Sequence, residues 1–323
     1  MRRVLSGIQP SGALHIGNYF GMMQKMIRYQ EEEDLFAFIA NYHAMTSVSD
    51  GKTLALGTLD AAVSFLALGL DPDKATFWVQ SDVPEVQELT WVLSSITPMG
   101  LLERCHSYKD KVTKGISPNH GLFAYPVLMA ADILLFQSDA VPVGRDQKQH
   151  LEVTRDLAEK FNHQYGPTFT VPESEIDDDL ALIPGTDGQK MSKSYGNTID
   201  IFTSRKVLKK AVMSIVTDAA AIEDPKDPDK CNLFTLAKLF LDTAGEAELR
   251  QRYLAGGLKY SDVKKELLEQ VWTTFEPHRE KREELLARPD DVRDILAAGA
   301  LKARAAAAET LATVREKVGI AYR

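Results

Sequence analysis

Val4-Leu5-Ser6-Gly7-Ile8-Gln9-Pro10-Ser11-Gly12-Ala13-Leu14-His15-Ile16-Gly17-Asn18-Tyr19 is the stretch on which the fold turns. Its short apolar run reads as a buried strand, followed by a turn containing Gly7, Pro10, Ser11 and Gly12. A helical period through Tyr19, Met22, Met23 and Met26 follows. A strand, a small-residue turn and a helix start leave backbone N–H groups at the helix N-terminus unpaired and pointing above a sheet, where the helix dipole favours an anion. Gly17 lets a nucleotide approach the helix closely, because it carries no side chain. His15 can donate a hydrogen bond to a phosphate oxygen. Taken alone, His15 is equally a capping or packing histidine, and the glycines are equally ordinary turn residues.

A distant segment, Gly188-Gln189-Lys190-Met191-Ser192-Lys193-Ser194-Tyr195, sets two lysines three residues apart among serines, with no apolar period. It reads as a mobile basic loop suited to a polyphosphate whose charge must be held while a bond at it breaks. Between the two segments, strands and helices alternate. Asp34 to Ala40 reads as a strand buried on both faces, Lys52 to Leu68 as a helix closing at Gly69, Ala75 to Gln80 as a strand, and Pro84 to Leu93 as a helix. That alternation implies a parallel sheet with helical crossovers whose ligands sit at the C-terminal strand ends. From about 98 to 119 the period weakens and Lys109, Lys111 and Lys114 cluster, which reads as a loop-rich excursion. The run Ala124 to Phe136 is a helix apolar almost all round, with Asp132 in its middle. A carboxylate there is costly unless something donates to it, and an Arg or Lys elsewhere is the ordinary partner. Ala140 to Val143 is a short strand, a helix continues through His150 to Phe161, and Leu180 to Pro184 reads as the last strand. After Ile201 the chain turns helical, interrupted by the acidic loop Glu223 to Asp229. The Ala-rich stretch Leu296 to Val314 is a strong helix former.

Hydrophobic content of 44% and charged content of 26% fit an ordinary globular protein, and 323 residues suffice for a catalytic domain plus a smaller one. No apolar run approaches a membrane span and the chain opens directly on a strand, so a cytoplasmic protein is expected. Cys105 and Cys231 lack metal or disulfide-framework spacing, and no metal site is expected. The net charge of −8 argues against nucleic-acid binding, but it is uneven. Residues 1–200 carry 16 Lys and Arg against 26 Asp and Glu, and residues 201–323 carry 22 against 20. An RNA footprint would therefore consist of local patches.

The pair of signature segments resembles the class I aminoacyl-tRNA synthetases. His15-Ile16-Gly17-Asn18 resembles their His-Ile-Gly-His motif, with Asn in the last place, and Lys190 to Ser194 matches Lys-Met-Ser-Lys-Ser at every residue. Met129-Ala130-Ala131-Asp132 is similar to the specificity helix of the tryptophanyl-tRNA synthetases, a class Ic family. Val141-Pro142-Val143-Gly144-Arg145-Asp146-Gln147 resembles their Val-Pro-Val-Gly-x-Asp-Gln segment, Arg145 standing where the family is often acidic. The resemblance covers essentially the whole chain. It implies a Rossmann-like α/β catalytic domain over 1–203 with an insertion at about 98–119 near the active site and dimer contact. A C-terminal all-helical anticodon-binding domain over 204–323 is implied with it.

The implied reaction joins tryptophan to ATP as tryptophanyl-adenylate, releasing pyrophosphate, and then moves tryptophan to the terminal adenosine of tRNA(Trp). The resemblance implies catalytic roles for His15, Lys190, Lys193 and Lys111; a solvated basic loop is the alternative for Lys111. It implies ATP contacts from Gln9, Pro10, Ser11, Gly17, Asn18, Gly144, Arg145, Asp146, Ile183, Lys190, Met191, Ser192, Lys193 and Ser194. Tryptophan contacts are implied for Asp132, as acceptor of the indole N–H, and for Met129, Val141, Val143, Gln147, Tyr125, His43 and Leu5. His150 reads as a helix-face or supporting residue rather than a catalyst. Mg2+ is expected to travel with ATP, and a homodimer is implied by the family alone. The tyrosyl-tRNA synthetases share both motifs, and a small nucleotidyltransferase or a non-catalytic paralogue serving as a binding module are the other readings.

Overall fold

The computed structural model describes residues 1–323 apart from Ser11, 106–112, 114–118, 145–146, 177–182 and Arg323. The chain divides into two compact units, one of Met1–Gly12, Met26–Asp178 and Leu285–Arg323, the other of Ala13–Lys25 and Asp179–Glu284.

The first unit holds a five-stranded, all-parallel sheet. Its strands are β1 (Arg3–Ile8), β2 (Asp34–Ile39), β3 (Thr76–Val79), β4 (Ala140–Val143) and β5 (Glu173–Ile176), in the spatial order β3-β2-β1-β4-β5. This is the Rossmann-like arrangement expected from the alternation of strands and helices. β1 and β2 pair along their whole length, from Arg3 opposite Asp34 to Ile8 opposite Ile39. β1 and β4 pair at Val4 opposite Ala140, and between them the strand order reverses. In a doubly wound sheet such a reversal leaves a crevice at the C-terminal strand ends, here beside Gln9 and Gly144.

Helices cover this sheet, so β2 is buried at every residue after Asp34. Phe36, Phe38, Trp78 and Phe136 pack as one aromatic cluster, with Phe38 and Trp78 stacked at 5.5 Å between ring centroids. Gly7 is part of β1, not of the turn. A Cβ at Gly7 would lie 2.7 Å from Cζ of Phe38, so the neighbouring strand's aromatic ring requires glycine there. The apolar helix spans His120–Leu135, capped by Asn119, whose side chain accepts from the Leu122 N–H.

Sequence and structure differ at the sheet's outer edge. Leu180 to Leu182 lie outside the described residues, and Ile183 and Pro184 are not in the sheet; Pro184 makes only an isolated bridge to Lys190. The fifth strand is instead Glu-Ser-Glu-Ile, Glu173–Ile176, which pairs on one side only with β4. An edge strand needs no apolar run, and that is why its sequence carries no strand signal. The excursion read at about 98–119 opens with a short helix, Met99–Glu103, and Lys109, Lys111 and Lys114 lie outside the described residues.

Compactness groups the terminal helix, Pro289–Val318, with the sheet, whereas sequence character changes at residue 203. Its buried positions Leu296, Ala300, Ala303, Ala307, Leu311 and Val314 form one small-residue face. Gly299 brings the helix backbone onto β3: a Cβ there would sit 1.8 Å from the Phe77 carbonyl oxygen.

The second unit is mainly helical, with Arg205–Met213, Asn232–Ala237, Thr243–Ala255 and Tyr260–Thr274 around a core that includes Leu233, Phe234, Leu267 and Val271. The Tyr19 ring meets Phe275 edge-on at 4.9 Å, and Phe20 meets Phe240 at 5.0 Å. The acidic loop is organised by a buried cation. Lys226 is 3% exposed and donates from Nζ to the carbonyl oxygens of Ala221, Ile222 and Asp224 at 2.9, 3.2 and 3.0 Å. Among the described residues no helix is long and apolar enough to cross a membrane.

Gly299→Ala is expected to lower stability by about 1–3 kcal/mol through overpacking, despite the better helix propensity of alanine. Urea unfolding monitored by circular dichroism measures it, and an unchanged midpoint would contradict the close helix–strand approach.

Candidate active site

Two sets of polar residues stand out, one in each unit. In the sheet-bearing unit the centre is Asp132, 3% exposed in the apolar His120–Leu135 helix. Its partners are His43 and Gln80, not an Arg or Lys. Gln80 Nε2 donates to both carboxylate oxygens at 2.9 and 2.8 Å, and His43 Nε2 lies 2.9 Å from Oδ2. Gln80 is itself oriented, because its Oε1 accepts from the Tyr42 N–H at 2.9 Å, which turns the amide nitrogen towards Asp132. Burial pushes the Asp132 carboxyl above its ordinary pKa, and the hydrogen bonds from His43 and Gln80 oppose that shift. Each carboxylate oxygen has two lone pairs, so a further donor can still be accepted.

A second chain of polar contacts runs beside the first. Tyr125 Oη lies 2.6 Å from His150 Nε2, and His150 Nδ1 lies 2.9 Å from Gln147 Oε1. Since Oε1 can only accept, the proton sits on Nδ1 and the tyrosine hydroxyl donates to Nε2. The His43 and Tyr125 rings meet edge to face at 6.1 Å, so the two chains adjoin. His150 is thus a buried supporting residue. Leu5, Val141 and Val143 belong to one apolar core cluster, with Met129 partly buried against it. Gln9 is exposed and Pro10 buried just past β1; Ser11, Arg145 and Asp146 lie outside the described residues, as does Lys111.

In the second unit the two signature segments converge. A Cβ at Gly17 would lie 3.0 Å from His15 Nδ1 and 3.3 Å from Met191 Cβ. Met191 is 5% exposed, and its N–H donates to the Ile183 carbonyl at 2.9 Å. Lys190 and Lys193 flank it and are exposed. Burial, with the Lys193 ammonium adding to it and Asp200 opposing, lowers the His15 imidazole to about 4. It is therefore neutral at neutral pH. Nδ1 accepts from the Asn18 N–H at 3.3 Å as the N-cap of the Ile16–Asn18 turn, which leaves the proton on Nε2 as a donor. His15 is both the capping residue and, through Nε2, a hydrogen-bond donor.

One expectation fails here. The N–H groups at this helix start are not an open anion cradle: Ile16 N–H donates to the Ile199 carbonyl at 3.0 Å, and Asn18 N–H is taken by His15. The lysine segment is an internally bonded turn. Asn197, 2% exposed, accepts from the Ser192 N–H at 2.8 Å and donates to Asp187 Oδ1 and the Lys190 carbonyl at 2.8 and 3.1 Å. A Cβ at Gly185 would fall 2.3 Å from this amide. Asn232 Nδ2 donates to the Gly185 carbonyl at 2.9 Å. Asn197, Asn232 and Gln80 were not legible as site residues; of the three, Gln80 had a signal, being a polar residue at the C-terminal end of a buried parallel strand.

Residues 1–276 match the family described as tRNA synthetases class I (W and Y). The chain is 58% identical to a tryptophan–tRNA ligase of Campylobacter jejuni over 98% of its own length and 100% of the relative's. It is 55% identical to a tryptophan–tRNA ligase of Fusobacterium nucleatum, over 99% of this chain and 98% of that one. The crystal structure of tryptophanyl-tRNA synthetase from Campylobacter jejuni complexed with ADP and tryptophan superposes with a TM-score of 0.93 at 58% identity, covering 98% of this chain and 99% of that one. A chain that carries both signature segments in contact, and matches at this level of identity, belongs to the class I tRNA synthetases of the tryptophan and tyrosine family.

Proposed function

We propose that the chain is a tryptophan–tRNA ligase. The observation that carries the reading is the close approach of Gly17 to Met191, which brings the two signature segments together. Full-length similarity to tryptophan–tRNA ligases supports the amino acid. In the first step the tryptophan carboxylate oxygen bonds to the α-phosphorus of ATP while the bond to the bridging oxygen breaks, and pyrophosphate leaves with its electrons. In the second, a ribose hydroxyl of the terminal tRNA adenosine attacks the activated carbonyl, and AMP departs. The substrates supply both nucleophiles, so the protein's task is positioning and charge stabilisation.

His15 donates from Nε2 to a phosphate oxygen, staying neutral well below neutral pH. Lys190 and Lys193 carry the departing pyrophosphate charge, with Met191 seated on Gly17 to keep both ammonium groups at one end of the turn. Asn197 is a positioning residue that holds this turn. Asp132, oriented by Gln80 and His43, accepts the indole N–H, and an amino acid lacking that donor would leave the buried carboxyl short of a partner, a penalty of about 1–3 kcal/mol. Met129, Val141, Val143, Leu5, Tyr125 and Gln147 complete the tryptophan contacts. Gln9, Pro10, Ser11, Gly17, Asn18, Gly144, Arg145, Asp146, Ile183, Ser192 and Ser194 contact ATP, and Lys111 reaches its phosphates. Mg2+ would arrive on the ATP phosphates. Family membership supports a cytoplasmic homodimer, with catalysis in residues 1–203 and anticodon binding in 204–323.

Pyrophosphate exchange with tryptophan, with tyrosine and with no amino acid tests the assignment; exchange driven by tyrosine, or none at all, would overturn it. Lys193→Ala is expected to slow adenylate formation at least a hundredfold with little change in tryptophan affinity, and equal losses in both would refute the division of roles. Asp132→Asn puts an amide N–H2 against the Gln80 amide, so tryptophan KM should rise about tenfold or more and selectivity over tyrosine and phenylalanine should fall. Asn197→Ala is expected to lower kcat of exchange about tenfold or more while tryptophan KM holds; a change confined to thermal stability would assign it a structural role only.

A further inference from the structure

A cavity of about 250 Å³ in the second unit is lined by Phe202, Thr203, Ser204, Arg279, Arg282 and Glu283. None of these residues has a part in the chemistry above. Two guanidinium groups and two hydroxyls against one carboxylate leave the lining with a net positive charge. The Arg279 guanidinium stacks 3.8 Å over the Trp272 ring and donates from Nη2 to the Trp272 carbonyl, while its Nη1 is buried with no acceptor. Arg282 lies over Phe202, 5.0 Å from the ring centroid. Aromatic faces thus hold both guanidinium planes where they stand, which reduces the entropy lost on binding. Ser204 caps the Arg205–Met213 helix, its Oγ accepting from the Val207 N–H at 3.4 Å, so its own proton is available to an anion. An anion in the cavity would face guanidinium edges and hydroxyl groups, the donor set that suits phosphate oxygens. Burial pulls Arg279 below its ordinary pKa, with Glu276 and Glu280 opposing.

We infer that this cavity binds a backbone phosphodiester of the tRNA, the Arg279 and Arg282 guanidinium groups and the Thr203 and Ser204 hydroxyls contacting its non-bridging oxygens. The inference rests on the tRNA substrate proposed above. It also resolves the charge question: a chain of net charge −8 needs local basic patches to hold RNA, and this is one. A phosphate contact carries no base information, so it contributes affinity to every tRNA alike.

Filter binding of the full-length enzyme to tRNA(Trp) and to a non-cognate tRNA, over a salt series, tests the inference. Arg279→Gln and Arg282→Gln are each expected to weaken both tRNAs about three- to tenfold and to flatten the slope of log K against log salt by about one. Glu283→Gln should tighten both. Tryptophan-dependent pyrophosphate exchange, run without tRNA, should be unchanged in all three; its absence in the parent enzyme would sink the ligase reading rather than the cavity. Should Arg279→Gln lose its fold with the Trp272 stack, Arg282→Gln and Glu283→Gln decide. Unchanged affinity and slope in those two, with normal exchange, overturn the inference. So does a rise in melting temperature with inorganic phosphate over chloride at equal ionic strength, seen in the parent but not in Arg282→Gln, while tRNA binding stays unmoved: the cavity would then take a free anion.

Discussion

The contact between Gly17 and Met191 is the constraint on which the arrangement of the two signature segments in the second unit depends. With no side chain at residue 17, the methionine between the two lysines packs down on the turn that His15 caps. Any Cβ there would press on the His15 ring at 3.0 Å and on Met191 at 3.3 Å. The apolar member of Lys-Met-Ser-Lys is therefore an anchor, and it sets where the charged members stand. The same packing desolvates His15, and the nearby Lys193 ammonium adds to the effect, so the imidazole is held neutral with its Nε2 proton available.

Asp132 shows the opposite use of burial. A carboxylate in an apolar helix could have been neutralised by an arginine, which would have occupied its lone pairs bidentately. Gln80 and His43 instead supply directed donors while leaving capacity for one more. A buried acceptor left without its donor costs its full desolvation. The neighbouring Tyr125, His150 and Gln147 chain fixes hydroxyl and ring orientations by the same logic.

In the helical unit, irregular backbone is held by single side chains reaching several backbone groups. Asn197 binds both limbs of the lysine turn, Asn232 holds the Gly185 carbonyl, and Lys226 gathers three carbonyls of the acidic loop. Segments without a helix or sheet ladder must satisfy their polar groups in some such way. The consequence is a basic turn whose shape is specified outside its own sequence.

Much of the fold was legible in local pattern. The runs at 34–40 and 75–80 declared buried parallel strands, and the alanines near the C-terminus declared a helix. Gly7 and β5 escaped because their meaning lies in partners: Phe38, far along the chain, forbids a side chain at residue 7, and β5 is a strand through its pairing with β4 although its Glu-Ser-Glu-Ile sequence has no apolar run. The helix start at His15 was read as an open anion site because residue 199, nearly two hundred positions away, supplies the acceptor that closes it.

What the sequence by itself determined was periodicity, residue chemistry and motif order, all of which follow from side chains and their near neighbours. What only the tertiary structure decided was which donors meet which acceptors: Gln80 and His43 on Asp132, Asn197 on the lysine turn, Gly299 on Phe77. Those pairings join residues tens to hundreds of positions apart, and their free energy comes from desolvation and close packing that exist only once the chain has folded.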